Sequence, residues 1–98
     1  MLLLNVGFGN TVVAGRVVAV IKTGSAPARK LKEHAKLEGK LLDMTEGRRT
    51  RSLLIMDSGH VALSFALAET ITQRMASLSA QTPIRDLLKE AQTEDDGE

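Results

Sequence analysis

Ninety-eight residues, 43% hydrophobic and 26% charged, suit one small globular domain. With no Cys, Trp or Tyr, disulfides and thiolate metal sites are excluded, and the core must be built from Val, Leu, Ile, Ala and Met beside two aromatics, Phe8 and Phe65. The net charge of +1 conceals an asymmetry: residues 1–85 hold twelve Lys/Arg against six acids, and residues 86–98 hold six acids and one Lys.

A basic body suits an anionic partner, while the acidic tail can serve solubility alone. Met1-Leu2-Leu3-Leu4-Asn5 lacks a basic leader region, and its apolar run is too short for a signal peptide. No stretch reaches the roughly 18 uncharged apolar residues of a membrane helix, because Arg16 and Lys22 bracket the longest candidate. The expectation is a soluble cytoplasmic protein that contacts no membrane. Domains below roughly 80 ordered residues often gain stability by self-association, which favours a homo-oligomer.

Leu2–Val6 reads as a first strand stopped by Gly7-Phe8-Gly9-Asn10, where Gly7 and Gly9 permit positive φ in a tight turn and Phe8 is expected to dip inward. Thr11–Ala14 and Arg16–Ile21 are Val-rich strand material with a bulge or bend at Gly15. A helix follows: Ser25 suits its N-cap, Pro27 its first turn and Gly39 the position just past its end. Its Ala28, Leu31 and Ala35 share one face, with Arg29, Lys32 and Lys36 beside it.

Leu41-Leu42-Asp43 can form a short strand, Thr45-Glu46-Gly47 a turn, and Arg48 leads into a strand ending at Asp57. Leu53-Leu54-Ile55-Met56 is apolar at both alternating positions, the pattern of a strand covered on both sides. Asp57-Ser58-Gly59-His60 is a hairpin connection returning through Val61–Phe65. A second helix spans Ala68 to about Ser77, and Pro83 opens a last helical turn through Leu88. Disorder is expected from Gln92. The sum is a small α+β domain over residues 1–80, with about five short strands and two helices. An acidic tail, partly helical to disordered, fills residues 81–98.

Gly47-Arg48-Arg49-Thr50-Arg51 is the densest basic group. In an extended segment Arg49 and Arg51 project on one face, roughly 6.6 Å apart, and Arg48 with Thr50 on the other. The guanidinium is a planar, permanently charged fork suited to phosphate. The alternative is a solvated turn whose arginines pair with Glu46 or Asp57. Arg16, alone among valines, must face solvent, face a partner or be paired, and on an edge strand it also discourages aggregation. The stripe of Arg29, Lys32 and Lys36, diluted by Glu33 and Glu38, reads as a solvated helix face. Asp57, Ser58 and His60 include the residue types of a hydrolytic triad, but hairpin neighbours rarely take the geometry a triad needs. His34 and His60 have no ligands at zinc spacing, and no phosphate-binding or dinucleotide fingerprint is complete. No catalytic role, cofactor, metal or small-molecule substrate is expected.

Four fragments in order resemble the RemA-type extracellular matrix regulatory proteins: Asn5-Val6-Gly7-Phe8-Gly9-Asn10, Ser25-Ala26-Pro27, Gly47-Arg48-Arg49-Thr50-Arg51, and Ile55-Met56-Asp57-Ser58 with His60-Val61. The resemblance covers about residues 2–75. It implies a bacterial DNA-binding transcriptional regulator of biofilm-matrix genes, with a LytTR-like α+β subunit assembled into a closed homo-oligomeric ring on whose rim double-stranded DNA runs. It places DNA-contacting arginines at Arg16, Arg48 and Arg49, with Arg51 ending the same motif. A functionally sensitive proline falls on Pro27, read as fixing the helix start, and Gly7 and Gly9 are structural. A competing reading is a ring-forming adaptor that binds another protein and spends its arginines on subunit contacts.

Overall fold

Six strands in two sheets and two helices make up the α+β fold, seen in a computed structural model that describes residues 1–80. The turn expected at Pro83 and the tail expected over residues 81–98 lie outside the described residues. The strand total exceeds the expected five or so by one.

β1 (Leu3–Gly7) and β2 (Asn10–Val13) form an antiparallel hairpin. Its connection is Phe8-Gly9, with both residues at positive φ, 56° and 79°. That left-handed pair matches the twist of the flanking strands, and Gly or Asn usually supplies it. The Asn5 side chain accepts the Gly7 N–H at 2.8 Å and steadies the entry to the turn. Phe8 does not dip inward as expected: it is 47% exposed. A two-residue connection lifts its central residues off the paired strands and away from the core.

The bend expected at Gly15 is a single 3₁₀ turn, Ala14–Arg16, so Arg16 precedes β3 (Val17–Lys22) instead of opening it. After α1 (Ala26–Leu37), strands β4 (Leu41–Asp43), β5 (Ser52–Met56) and β6 (Val61–Ser64) complete a sheet of order β3-β5-β6-β4. Only the β4–β6 pair is parallel. α1 begins where its punctuation placed it: the Ser25 hydroxyl accepts the Ala28 N–H at 3.2 Å, with Pro27 in the first turn. Glu38 caps the other end, and Gly39 follows at φ 70°. Ala28 and Ala35 are buried, whereas Leu31 stays exposed.

The sheet is covered on both sides, as the apolar run in β5 requires. Leu54 and Ala62 pack with Leu4, Val6, Val12 and Ile71 on the side of the hairpin and α2 (Ala68–Ala80). Leu53, Val61 and Leu63 pack with Ala35 of α1 on the other. Two buried serines stitch the layers. Ser64, opposite Ser52 in the β5–β6 ladder, donates its hydroxyl to the Val6 carbonyl at 2.7 Å and so ties β6 to the hairpin. Ser52 donates to the Ala66 carbonyl at 2.8 Å. Among the described residues, no helix is long and apolar enough to cross a membrane.

Candidate functional site

The arginine loop is anchored before it begins. Thr45 is buried, and both its N–H and its hydroxyl donate to Asp43 Oδ1, at 3.0 and 2.6 Å. These two bonds, the hydroxyl's first, hold the Asp43 carboxyl below the usual carboxylate range; Lys32 adds a smaller push in the same direction, and partial burial opposes it. Glu46 and Gly47 then turn at positive φ, and the Arg48 N–H closes on the Thr45 carbonyl at 2.9 Å. The paired strand starts only at Ser52, and Arg48 and Arg51 share the Phe65 ring in place of the expected pairing of Arg49 with Arg51. Arg48 closes the turn that begins at Thr45, which takes it out of the run that the expected alternation needs.

The faces are sorted accordingly. Arg48, not Arg49, joins Arg51: the Arg48 guanidinium lies 5.8 Å from the Phe8 ring centre and 6.0 Å from that of Phe65, and the Arg51 guanidinium lies 5.0 Å from Phe65. The two rings stand 5.9 Å apart at a tilt of 38°. Cations over ring faces are drawn by the quadrupole, by about 0.5–1 kcal/mol at exposed sites. Arg49 is exposed, and Thr50 shares a recess with Arg29 and Lys32 of α1. Among the described residues, no carboxylate pairs with Arg48, Arg49 or Arg51, and the buried Arg51 Nε has no acceptor. Two guanidiniums, those of Arg48 and Arg51, therefore lean on aromatic rings while that of Arg49 is exposed, and none of the three is paired with an acid among the described residues.

The backbone around the rings is fixed from three directions. The Arg51 N–H donates to the Ser64 carbonyl at 2.8 Å, the Ser64 hydroxyl accepts the Ala66 N–H at 3.0 Å, and the same hydroxyl reaches Val6 in the hairpin that carries Phe8. Gly7 (φ 107°) and Gly9 flank Phe8, with open space where either would carry a Cβ. Phe8 itself holds a left-handed φ that costs a residue with a side chain roughly 1–2 kcal/mol. Sequence reasoning singled out the arginines and missed the aromatic shelf beneath them. The signal was available: both aromatics of the chain flank glycine-rich or strand-end positions and not the centre of an apolar run.

Arg16 sits elsewhere. Its Nε donates to Asp57 Oδ1 at 2.9 Å, and the Asp57 N–H donates back to the Arg16 carbonyl at 2.9 Å. Asp57 follows β5 and Arg51 precedes it, so the two arginine positions lie at opposite ends of that strand, roughly 20 Å apart for six residue steps. Beside Asp57, the Ser58 hydroxyl and His60 Nδ1 are 2.7 Å apart, while Asp57 is turned to Arg16. Pro27 is exposed in the first turn of α1.

A family model described as extracellular matrix regulatory protein A-like, or RemA-like, matches residues 3–75. A Desulfotalea psychrophila protein bearing the name "Putative regulatory protein" is 65% identical over 78 residues, 80% of this chain and 70% of its own length. A Syntrophobacter fumaroxidans protein of the same description is 50% identical over 91 residues, covering 91% of this chain and 94% of the relative. One from Fervidobacterium nodosum is 56% identical over 72 residues, 74% of this chain and 77% of the relative.

Proposed function

The chain belongs to the RemA-like family of regulatory proteins, and from that premise we propose that it is a cytoplasmic DNA-binding transcriptional regulator of bacterial matrix genes, not an enzyme. The carrying observation is the trio Arg48, Arg49 and Arg51 on one short segment, the first and last held against an aromatic shelf and Arg49 exposed between them, with none paired to an acid among the described residues. Such guanidiniums suit DNA phosphates: their permanent charge displaces condensed counterions, and the fork donates to two oxygens at once. Phosphate contacts set position and affinity, so sequence preference arises from shape and flexibility of the duplex.

One subunit presents few arginines. A closed homo-oligomeric ring of LytTR-like subunits repeats them, and individually weak contacts combine through effective concentration. Exposed apolar side chains support self-association: Val18 on the edge strand β3 is 68% exposed and Leu37 at the end of α1 is 87% exposed. In such a ring Arg16, at the far end of β5, is brought toward DNA by the repeat and exchanges Asp57 for a phosphate. The adaptor reading needs the cluster spent on Glu46 or Asp57; Asp57 instead takes Arg16.

Gel-shift titration against random and A/T-rich duplexes at two salt concentrations, with sedimentation of the free and bound protein, tests the proposal. Expected is an oligomer whose affinity falls steeply with salt, the logarithmic slope growing by about 0.9 per phosphate engaged. A protein that ignores duplex DNA at low salt overturns it.

A further inference from the structure

Resting on that DNA-binding reading, we propose that Phe8 is an apolar wedge that enters the minor groove and levers apart a flexible base step, making it the residue that gives the protein its preference for deformable DNA. The chain has two aromatic residues and places neither at the centre of its core. Phe8 instead occupies the tip of a hairpin, 47% exposed. It sits at the first central position of a left-handed two-residue turn, where Asn or Gly would form the same turn without strain. The contacts of Phe8 with Phe65 and Arg48 offset part of that strain, but they leave the ring half exposed, and strain of this kind concentrates where a side chain must be presented to a ligand.

The surroundings fit a groove. Gly7 and Gly9 carry no side chains and have open space about them, so neither neighbour in the turn widens the tip, as entry into a cleft of roughly 6 Å requires. Arg48 stands against the same ring at 5.8 Å, placing a cation beside the wedge for the phosphates that line the groove. Phe65, with its ring centre 5.9 Å from that of Phe8, is anchored next to the buried Ser64 and supplies the support that a wedge requires. An apolar side chain with flanking arginines is the combination by which proteins unstack a step and bend DNA, and pyrimidine–purine steps yield most easily.

The test compares the full chain with Phe8→Asn on two duplexes, one with a central TA step carrying 2-aminopurine and one a rigid A-tract, each titrated at two salt concentrations. Arg48→Ala/Arg49→Ala serves as the phosphate control. Expected: the unmodified protein brightens the 2-aminopurine as it unstacks, whereas F8N does not. F8N also loses about tenfold in affinity for the TA duplex and little for the A-tract. Its salt slope is unchanged and its thermal midpoint close to that of the unmodified protein, because relief of the turn offsets the lost contacts with Phe65 and Arg48.

F8N binding both duplexes like the unmodified protein, with silent 2-aminopurine throughout, overturns the wedge and leaves the arginine reading intact. A salt slope lowered by about one in F8N also overturns it, showing Phe8 to be only a shelf for Arg48. If the unmodified protein binds neither duplex, or binds with a slope indifferent to R48A/R49A, the DNA reading itself fails and the wedge goes with it.

Discussion

The two ends of β5 treat arginine in opposite ways. At the Asp57 end, Arg16 is matched with a carboxylate at 2.9 Å, both side chains about half exposed (57% and 49%), and water screens what the pair gains. At the Ser52 end, Arg48 and Arg51 meet aromatic faces instead of acids. A ring face orders a guanidinium without neutralising it, so the group keeps its full charge and its outward N–H donors for another partner. An ion pair orders it and also consumes its charge. The contrast separates an arginine that is ready for phosphate from one that must first give up an acid.

Removing the ready charges gives the largest expected effect. Hydrogen bonds to charged groups contribute about 1.5–3 kcal/mol, so Arg48→Ala/Arg49→Ala weakens duplex binding by roughly 10- to 100-fold or more for each guanidinium removed, on every sequence alike. The logarithmic salt slope falls by about two. Titrations at several salt concentrations check both figures. An affinity loss without a slope change places these arginines away from phosphate and erases the contrast between the strand ends.

The next effect acts through the anchor of the ready end. Thr45→Ala deletes a buried hydroxyl that donates to Asp43 at 2.6 Å, leaves one turn bond in place, and costs about 0.5–1.5 kcal/mol in unfolding free energy. Denaturant unfolding measures the loss. DNA affinity falls with the salt slope unchanged, since the charges stay and only their placement loosens. Full affinity in T45A shows that the aromatic shelf alone positions Arg48.

How far the sequence foretold these two ends depends on the kind of interaction. The two-sided burial of β5 was legible, because an unbroken apolar run has one explanation in a sheet, and the start of α1 was legible because Ser25 and Pro27 act within three residues of themselves. The arginine cluster was legible as composition. Its geometry was not: whether Arg48–Arg51 run extended depends on Thr45 bonding to Asp43 and on the Ser64 carbonyl catching the Arg51 N–H, and the second of these bonds spans thirteen positions. The Arg16–Asp57 pair spans 41 positions, and nothing local distinguishes Asp57 from Glu46 as its partner. The meeting of Phe8 with Phe65 depends on the hairpin packing against β6 through Ser64, a tertiary fact without a sequence period.

A smaller effect tests the matched end. Asp57→Asn leaves the shape of the pair and removes its negative charge, so Arg16 is released at little cost; exposed pairs of this kind contribute about 0–1 kcal/mol. If Arg16 reaches phosphate as proposed, D57N binds DNA a few-fold tighter and gains about one unit of salt slope, while Arg16→Ala loses less than Arg48→Ala does, because its charge was partly spent. Equal losses in R16A and R48A remove the distinction between the ends.

The smallest effect is the pH response of the anchor. Asp43 has its folded pKa depressed, first by the Thr45 hydroxyl, then by the Thr45 N–H and Lys32, so the ionised form favours the folded state. A depressed carboxylate contributes stability that is fully present above its unfolded value of about 3.9 and is lost as pH falls through the lower folded value. Thermal midpoints taken from pH 5 down to pH 2 therefore fall more steeply in the unmodified protein than in Asp43→Asn, whose neutral amide accepts from Thr45 equally at every pH. Above pH 5 the two curves run parallel, with D43N lower by a few degrees at most because its acceptor is weaker. Curves parallel over the whole range mean that the turn holds without the charge, and that the placement of Arg48 rests on Phe8, Phe65 and Ser64 alone.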